Sequence, residues 1–334
     1  MRRNRLAFAL FFCLMAMPAR SQDSWPGFRG LGQAGIGGAV PGLDSRPTAE
    51  LVRWRVPVPG RGWSSPVVHS GKVFVTTSTS ANPGPEQRKG LYILDLQGKA
   101  QPGERSWEVL AFDAATGKSM WRVPVFTGEA RSTIHIKNTF ASETPCADAE
   151  RVIAMFGNRG IAALDHAGKV LWQFDLPVRK TEMGWGPAAS PVLHEGVVYL
   201  AMDSEEESLV WAIDARTGNT LWKRIRNEKS NWATPFVWVH PAGTEIVTAG
   251  KGKVRSYDTR GELLWELGGM SIIAIPTPSD VATRSPASES LRVTMRRATR
   301  GAPLARRAAR TARASRGVSI PAMQSDRTSG TSPV

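Results

Sequence analysis

Cysteine is nearly absent from this 334-residue chain, which has only Cys13 and Cys146. Cys13 lies in an N-terminal apolar stretch expected to be removed, so no disulfide can form within one mature chain. Histidine is scarce too. The five, at positions 69, 135, 166, 194 and 240, show no ligand spacing such as H-x-x-x-H, and no metal site follows from them. A Gly-x-Ser-x-Gly elbow, a Walker loop and a dinucleotide fingerprint are all missing, which removes the commonest hydrolase, NTPase and nucleotide-dependent oxidoreductase signatures. No apolar run approaches the roughly 20 residues of a membrane-spanning helix. The N-terminal one, Leu6–Met17, has twelve.

That run follows Arg2, Arg3 and Arg5 and precedes Ala19 and Ser21, the order of a secretory signal with cleavage before Gln22. Cys13 lacks the small preceding residue expected of a lipidated cysteine. The expectation is therefore an exported protein, periplasmic or extracellular, with signal peptide 1–21 and no stable membrane insertion after cleavage. The net charge of +14 suggests nucleic acid at first sight. Residues 279–334 alone supply +8 and the signal segment +4, leaving +2 for residues 22–278. Nucleic acid is not an expected partner of so neutral a body.

What the chain does have is repetition. Four phrases share a large apolar residue, an Asp, a Gly, and a Trp four residues after that Gly: Asp113–Gly117–Trp121, Asp165–Gly168–Trp172, Asp214–Gly218–Trp222 and Asp258–Gly261–Trp265. Each is preceded by a Ser/Thr-Pro marker: Ser65-Pro66, Thr144-Pro145, Ser190-Pro191 and Thr234-Pro235. The marker prolines are 79, 46 and 44 residues apart, the first gap holding an insertion. A repeat of about 40–50 residues made of short apolar strands predicts an all-β propeller.

One copy shows why. From Pro191 and from Gly196 run two β-branched segments joined by a tight turn at Glu195-Gly196, a hairpin signal. A third strand, Leu209–Ile213, leads into Asp214–Gly218, where the carboxylate can accept backbone N–H groups and the glycine takes positive φ. A fourth strand ends at Trp222. Four short antiparallel strands cannot bury both faces alone, so successive copies must stack, with the Trp wedged between them.

The phrase Ala-x-Asp-x-x-Thr-Gly-x-x-x-Trp, matched at 212–222 and 111–121, resembles the tryptophan-docking repeat of pyrroloquinoline quinone (PQQ) propellers. The copies ending at Trp172 and Trp265 lack the Thr and one turn residue. The opening Trp25-Pro26-Gly27-Phe28-Arg29-Gly30, the segment Trp54 to Pro66 and Lys137 to Pro145 are similar to secreted PQQ-binding-like repeat proteins. The resemblance covers residues 24–278 and implies four-stranded blades, in about five units here. A fifth marker, Thr277-Pro278, falls on schedule. Then the pattern stops, and no aromatic residue follows Trp265. Residues 279–334 are expected to be a disordered basic tail, preferably read as the product of a frameshift near codon 279; a genuine arm for acidic partners is the alternative. The propeller is then incomplete.

The resemblance also implies PQQ as the cofactor to consider, together with a base carboxylate and Ca²⁺ ligands. Candidates are Asp203 with Glu205–Glu207, and Glu143 beside Asn138. The Asp that recurs once per repeat is a turn former, and Glu205–Glu207 reads as a solvated loop. The vicinal cysteine pair of several family enzymes is impossible. Cys146 stands where Val67, Val192 and Phe236 stand in other copies and is expected to be a buried, inert thiol. His69 and His194 occupy equivalent hairpin positions. Trp63, Trp185 and Trp232, just before markers, are expected to pack between blades, with a ligand funnel as the alternative. No residue is assigned to catalysis, cofactor or metal. The sequence favours a non-catalytic exported scaffold with an unidentified protein or small-molecule partner. The other readings are a PQQ-dependent alcohol or sugar dehydrogenase and a factor assisting outer-membrane barrel assembly.

Overall fold

A computed structural model describes residues 24–37, 51–84, 97–270 and 277–279. The expected signal peptide, the basic tail from residue 280 and the start of the fifth copy at 271–276 lie outside the described residues. Among the described residues sixteen strands form four separate antiparallel sheets of four, each in sequence order. The first blade holds β1 (Val67–His69), β2 (Lys72–Ser80), β3 (Glu104–Asp113) and β4 (Ser119–Glu129). The second holds β5 (Cys146–Ala147), β6 (Arg151–Phe156), β7 (Gly160–Asp165) and β8 (Val170–Asp175). The third holds β9 (Val192–His194), β10 (Val197–Met202), β11 (Ser208–Asp214) and β12 (Thr220–Arg226). The fourth holds β13 (Phe236–His240), β14 (Gly243–Ala249), β15 (Lys253–Tyr257) and β16 (Leu263–Gly268). The first strands β1, β5, β9 and β13 touch in succession, which makes them the inner rim of a propeller that is not closed. Middle strands are buried on both faces, as in Arg151–Phe156, while outer strands alternate, as in Val170–Asp175.

Each docking phrase works as a joint to the blade before it. The Asp113 carboxylate accepts the N–H groups of Ala115 and Thr116 and the Thr116 hydroxyl, at 3.1, 2.8 and 2.7 Å. These bonds, the hydroxyl's first, hold its pKa below the ordinary carboxylate range. Asp214 does the same with Arg216 and Thr217. In the shorter copies Asp165 and Asp258 likewise accept the N–H two residues on, from Ala167 and Arg260, and add those of Lys169 and Glu262, four residues on. The turn places its glycine under the preceding blade's indole. At Gly218, φ is +77° and a Cβ would stand 2.8 Å from Trp172. The indole N–H then donates to a carbonyl of the same turn: Trp54 to Ala114 at 3.0 Å, Trp121 to His166 at 3.1 Å, Trp172 to Ala215 at 2.9 Å, Trp222 to Thr259 at 2.8 Å. Trp265 donates within its own blade, to Glu245 Oε2 at 2.7 Å.

The Ser/Thr-Pro markers have a second joint to themselves. The N–H of Ser65 donates to the Thr144 hydroxyl, Thr144 to Ser190 and Ser190 to Thr234, each at 3.0 Å. Thr234 in turn donates to Thr277 at 3.2 Å. A chain of hydroxyls therefore ties the entry to each inner strand to the next blade, and the fifth marker continues it. Proline fits there because it stands just before each inner strand, where the sheet ladder asks no N–H of it.

Among the described residues no strand set precedes Val67, although Trp54 takes the docking position. The stretch from Trp25 laces the inner rim instead. It exchanges two backbone bonds with Val68, accepts Ala147 N–H at Pro26, and reaches β13 through Gln33, whose side chain bonds Pro235 O at 2.6 Å and Val237 N–H at 3.0 Å. An extended segment without a neighbouring strand satisfies its polar groups on the unpaired edges of several inner strands.

Candidate functional site

Two kinds of loop meet at one end of the blades: the links from outer to next inner strand (130–145, 176–191, 227–235) and the turns between middle strands (157–159, 203–207, 250–252). All the candidate carboxylates lie at this end, yet the fold puts them in different places. Glu143, 2 % exposed, lies between the first two blades. Its Oε1 has no hydrogen-bond partner, and burial raises its pKa to about 8 against the pull of nearby N–H groups of Glu143, Ser142 and Gly157. The cavity it lines with Trp107, Phe156 and Arg159 has a volume of about 20 Å³. That is room for one water, not for an organic ligand. Asn138 is spent on its own loop and the next, accepting from Thr139 N–H and the Ser142 hydroxyl and donating to Trp185 O on the following link.

Asp203 belongs to a buried ionic cluster between the third and fourth blades. Its side chain is 2 % exposed and its Oδ1 lies 3.3 Å from Arg226 Nε. The pair is close but not aligned as a hydrogen bond, so Asp203 Oδ1 and Arg226 Nε and Nη1 lack directed partners. Burial raises the Asp203 pKa to about 7, with Arg226 as the main opposing influence and Glu228 adding to the rise. Arg255 completes the cluster, pairing with Glu228 and lying 3.3 Å from Glu266. Gly250 is required beside it, because a Cβ there would meet the Glu228 carboxylate at 2.4 Å.

Glu205–Glu207 do not converge on one point. Glu205 accepts Ser230 N–H at 3.1 Å, Glu207 lies 3.5 Å from Arg179 Nη2, and Glu206 is exposed. Among the described residues no group of three or more His, Cys, Asp or Glu is placed to hold a metal ion. Cys146 is buried on the inner strand, which pushes its thiol pKa far up and makes the thiolate inaccessible as a nucleophile. His69 and His194 close their hairpins, His69 Nδ1 lying 2.8 Å from Ser70 Oγ.

The three marker-adjacent tryptophans join neighbouring blades at this same end. Trp63 donates to Lys137 O at 2.8 Å while remaining 59 % exposed. Trp232 donates to Gly186 O at 2.7 Å, and its ring lies 5.4 Å from that of Trp185, itself 5.3 Å from His135. Trp185 and Trp232 thus pack half-exposed across neighbouring repeats, and Trp63 is tied to the next link while exposed to solvent. The ionic cluster and the isolation of Glu143 were not foreseen; an Arg in the inward register of β15 was the available signal.

The family profile described as outer membrane protein assembly factor BamB matches residues 105–272. No curated protein matches. Among solved structures, BamB from Moraxella catarrhalis is similar at 20 % identity and a TM-score of 0.32, over 54 % of each chain. A europium-containing methanol dehydrogenase is similar at 11 % identity and 0.36, over 61 % of this chain and 50 % of its own. The quinohemoprotein alcohol dehydrogenase of Comamonas testosteroni is similar at 15 % and 0.39, over 64 % and 35 %. The chain spans about half or less of the length of these relatives. Among the described residues no helix is long and apolar enough to cross a membrane.

Proposed function

This chain belongs to the family described as outer membrane protein assembly factor BamB, and from that premise we propose that it is a non-catalytic, exported β-propeller scaffold binding a partner at the loop end of its blades. The observation that carries this reading is how the carboxylates are spent. One Asp per repeat caps a turn, Asp203 is packed against Arg226, and Glu143 faces a cavity of about 20 Å³. A quinone dehydrogenase needs a carboxylate beside space for cofactor and substrate. Neither buried carboxylate has that space, so no catalytic step through PQQ is derived.

The family description directs the search for a partner to proteins of outer-membrane protein assembly. Trp63, Trp185 and Trp232 offer the contact chemistry, since aromatic side chains rigidly held at a surface dominate protein interfaces. The test is reconstitution of the full-length chain with PQQ and Ca²⁺, followed by dye reduction with a panel of alcohols and sugars. The expected result is no turnover. Robust turnover abolished by Glu143→Gln would replace the scaffold by the dehydrogenase.

A further inference from the structure

A second pocket opens at the loop end, adjoining the Glu143 cavity and sharing Arg131 and Ser132 with it, while Glu143 itself does not line it. Its volume is about 270 Å³, and it lies between the link that follows β4 and the link that follows β8. Arg131, Arg179 and Lys180 bring three cations to its wall, with Glu206 as the single carboxylate. Ser132 adds a hydroxyl group, whereas the Thr133 hydroxyl donates to Gly184 O at 2.7 Å and the buried Thr181 hydroxyl accepts Gly186 N–H at 2.8 Å.

The cations are only partly neutralised by their neighbours. Asp175 is shared, lying 3.1 Å from Arg131 and also pairing with Arg159, so one carboxylate serves two guanidinium groups. Arg179 pairs with Glu207 but keeps a buried Nε without a hydrogen-bond partner. Lys180 is exposed and makes no ion pair among the described residues. A concave site with surplus positive charge and low-dielectric walls concentrates anions. Two guanidinium groups and an ammonium, with the Ser132 hydroxyl beside them, suit an anion with oxygens pointing several ways, more than a planar carboxylate.

We propose that this pocket binds a phosphate-type oxyanion. Occupancy would bridge the links of successive blades and neutralise the surplus charge. The inference does not rest on the scaffold reading, because neither Glu143 nor Asp203 lines the pocket.

Titration calorimetry of the full-length chain with inorganic phosphate, at constant ionic strength set by chloride, tests it. Saturable binding is expected. Lys180→Ala and Arg131→Ala should each weaken it roughly tenfold, the loss of one charge-assisted contact, while Lys223→Ala, remote on β12, leaves it unchanged. Unaltered circular dichroism in the variants separates lost binding from lost folding. Vesicles of phosphatidylcholine with and without phosphatidic acid distinguish a free phosphate from a lipid phosphomonoester: binding only to the anionic vesicles, through the same two side chains, assigns the site to the lipid. Absence of binding in both arms, or binding that survives both pocket substitutions, overturns the proposal.

Discussion

Between the first and second blades the contact is chiefly hydrocarbon, with Phe74, Trp107, Phe126, Phe156 and Leu164 in one buried cluster and, at its loop end, Glu143 as a buried carboxylate without an ion pair among the described residues. Between the third and fourth the buried apolar set shrinks to Tyr199, Val210, Ala212, Ile246 and Tyr257, and the Asp203–Arg226 and Glu228–Arg255 pairs are buried beside it. Both joints carry the same indole-on-glycine dock and the same hydroxyl link. The repeat thus fixes how blades meet but leaves open what fills the gap. An apolar filling tolerates loss in proportion to area, whereas a buried ionic filling fails when one partner is removed, because the other charge is stranded.

Breaking the ionic joint should give the largest effect. Arg226→Met is expected to lower stability by about 3–5 kcal/mol, and Asp203→Leu in the same chain should recover most of it. Denaturant unfolding of the two single variants and the double variant checks this; additive losses would show that the pair is not coupled. In the apolar joint, Trp121→Ala is expected to cost about 3 kcal/mol for the half-buried indole, with no partner substitution able to restore it.

The pH dependence sharpens the contrast. Glu143 and Asp203 both have raised pKa values, to about 8 and about 7, so the folded chain holds their protons more tightly than the unfolded chain does. Stability should therefore fall as pH rises from near 4 to 8, because only the unfolded state has released those protons. Glu143→Gln should raise the melting temperature at pH 8, by roughly 2 kcal/mol of stability, and leave the slope owed to Asp203. An unchanged slope would place Glu143 in contact with water.

The smaller tests address what the joints share. Gly218→Ala should cost about 1–3 kcal/mol, from positive φ and from the indole of Trp172. Thr144→Val, which leaves the Ser65 N–H without its acceptor, should cost about 1 kcal/mol, read as a shift of the thermal midpoint.

The blades were legible because their signals are local. The Asp–Gly–Trp phrase encodes a turn, a positive φ and a wedge within ten residues, and alternating or continuous apolar runs encode outer and middle strands. The burial of Cys146 and the turn role of the repeated Asp followed from equivalence between copies. The candidate carboxylates were legible as residues but not as environments. Glu143 and Asp203 look alike in sequence, and only the stacking of blades isolates one in a water-sized cavity and sets the other against Arg226.

By itself, then, the sequence determined the repeat, the strand order within each blade and the residue types at every joint, because each depends on contacts between near neighbours in the chain. The tertiary structure alone decided which blade each Trp docks on, that the marker hydroxyls link in series, and that three cations share one pocket. Those facts depend on distances between residues about 45 positions apart, and such distances exist only once the blades have packed.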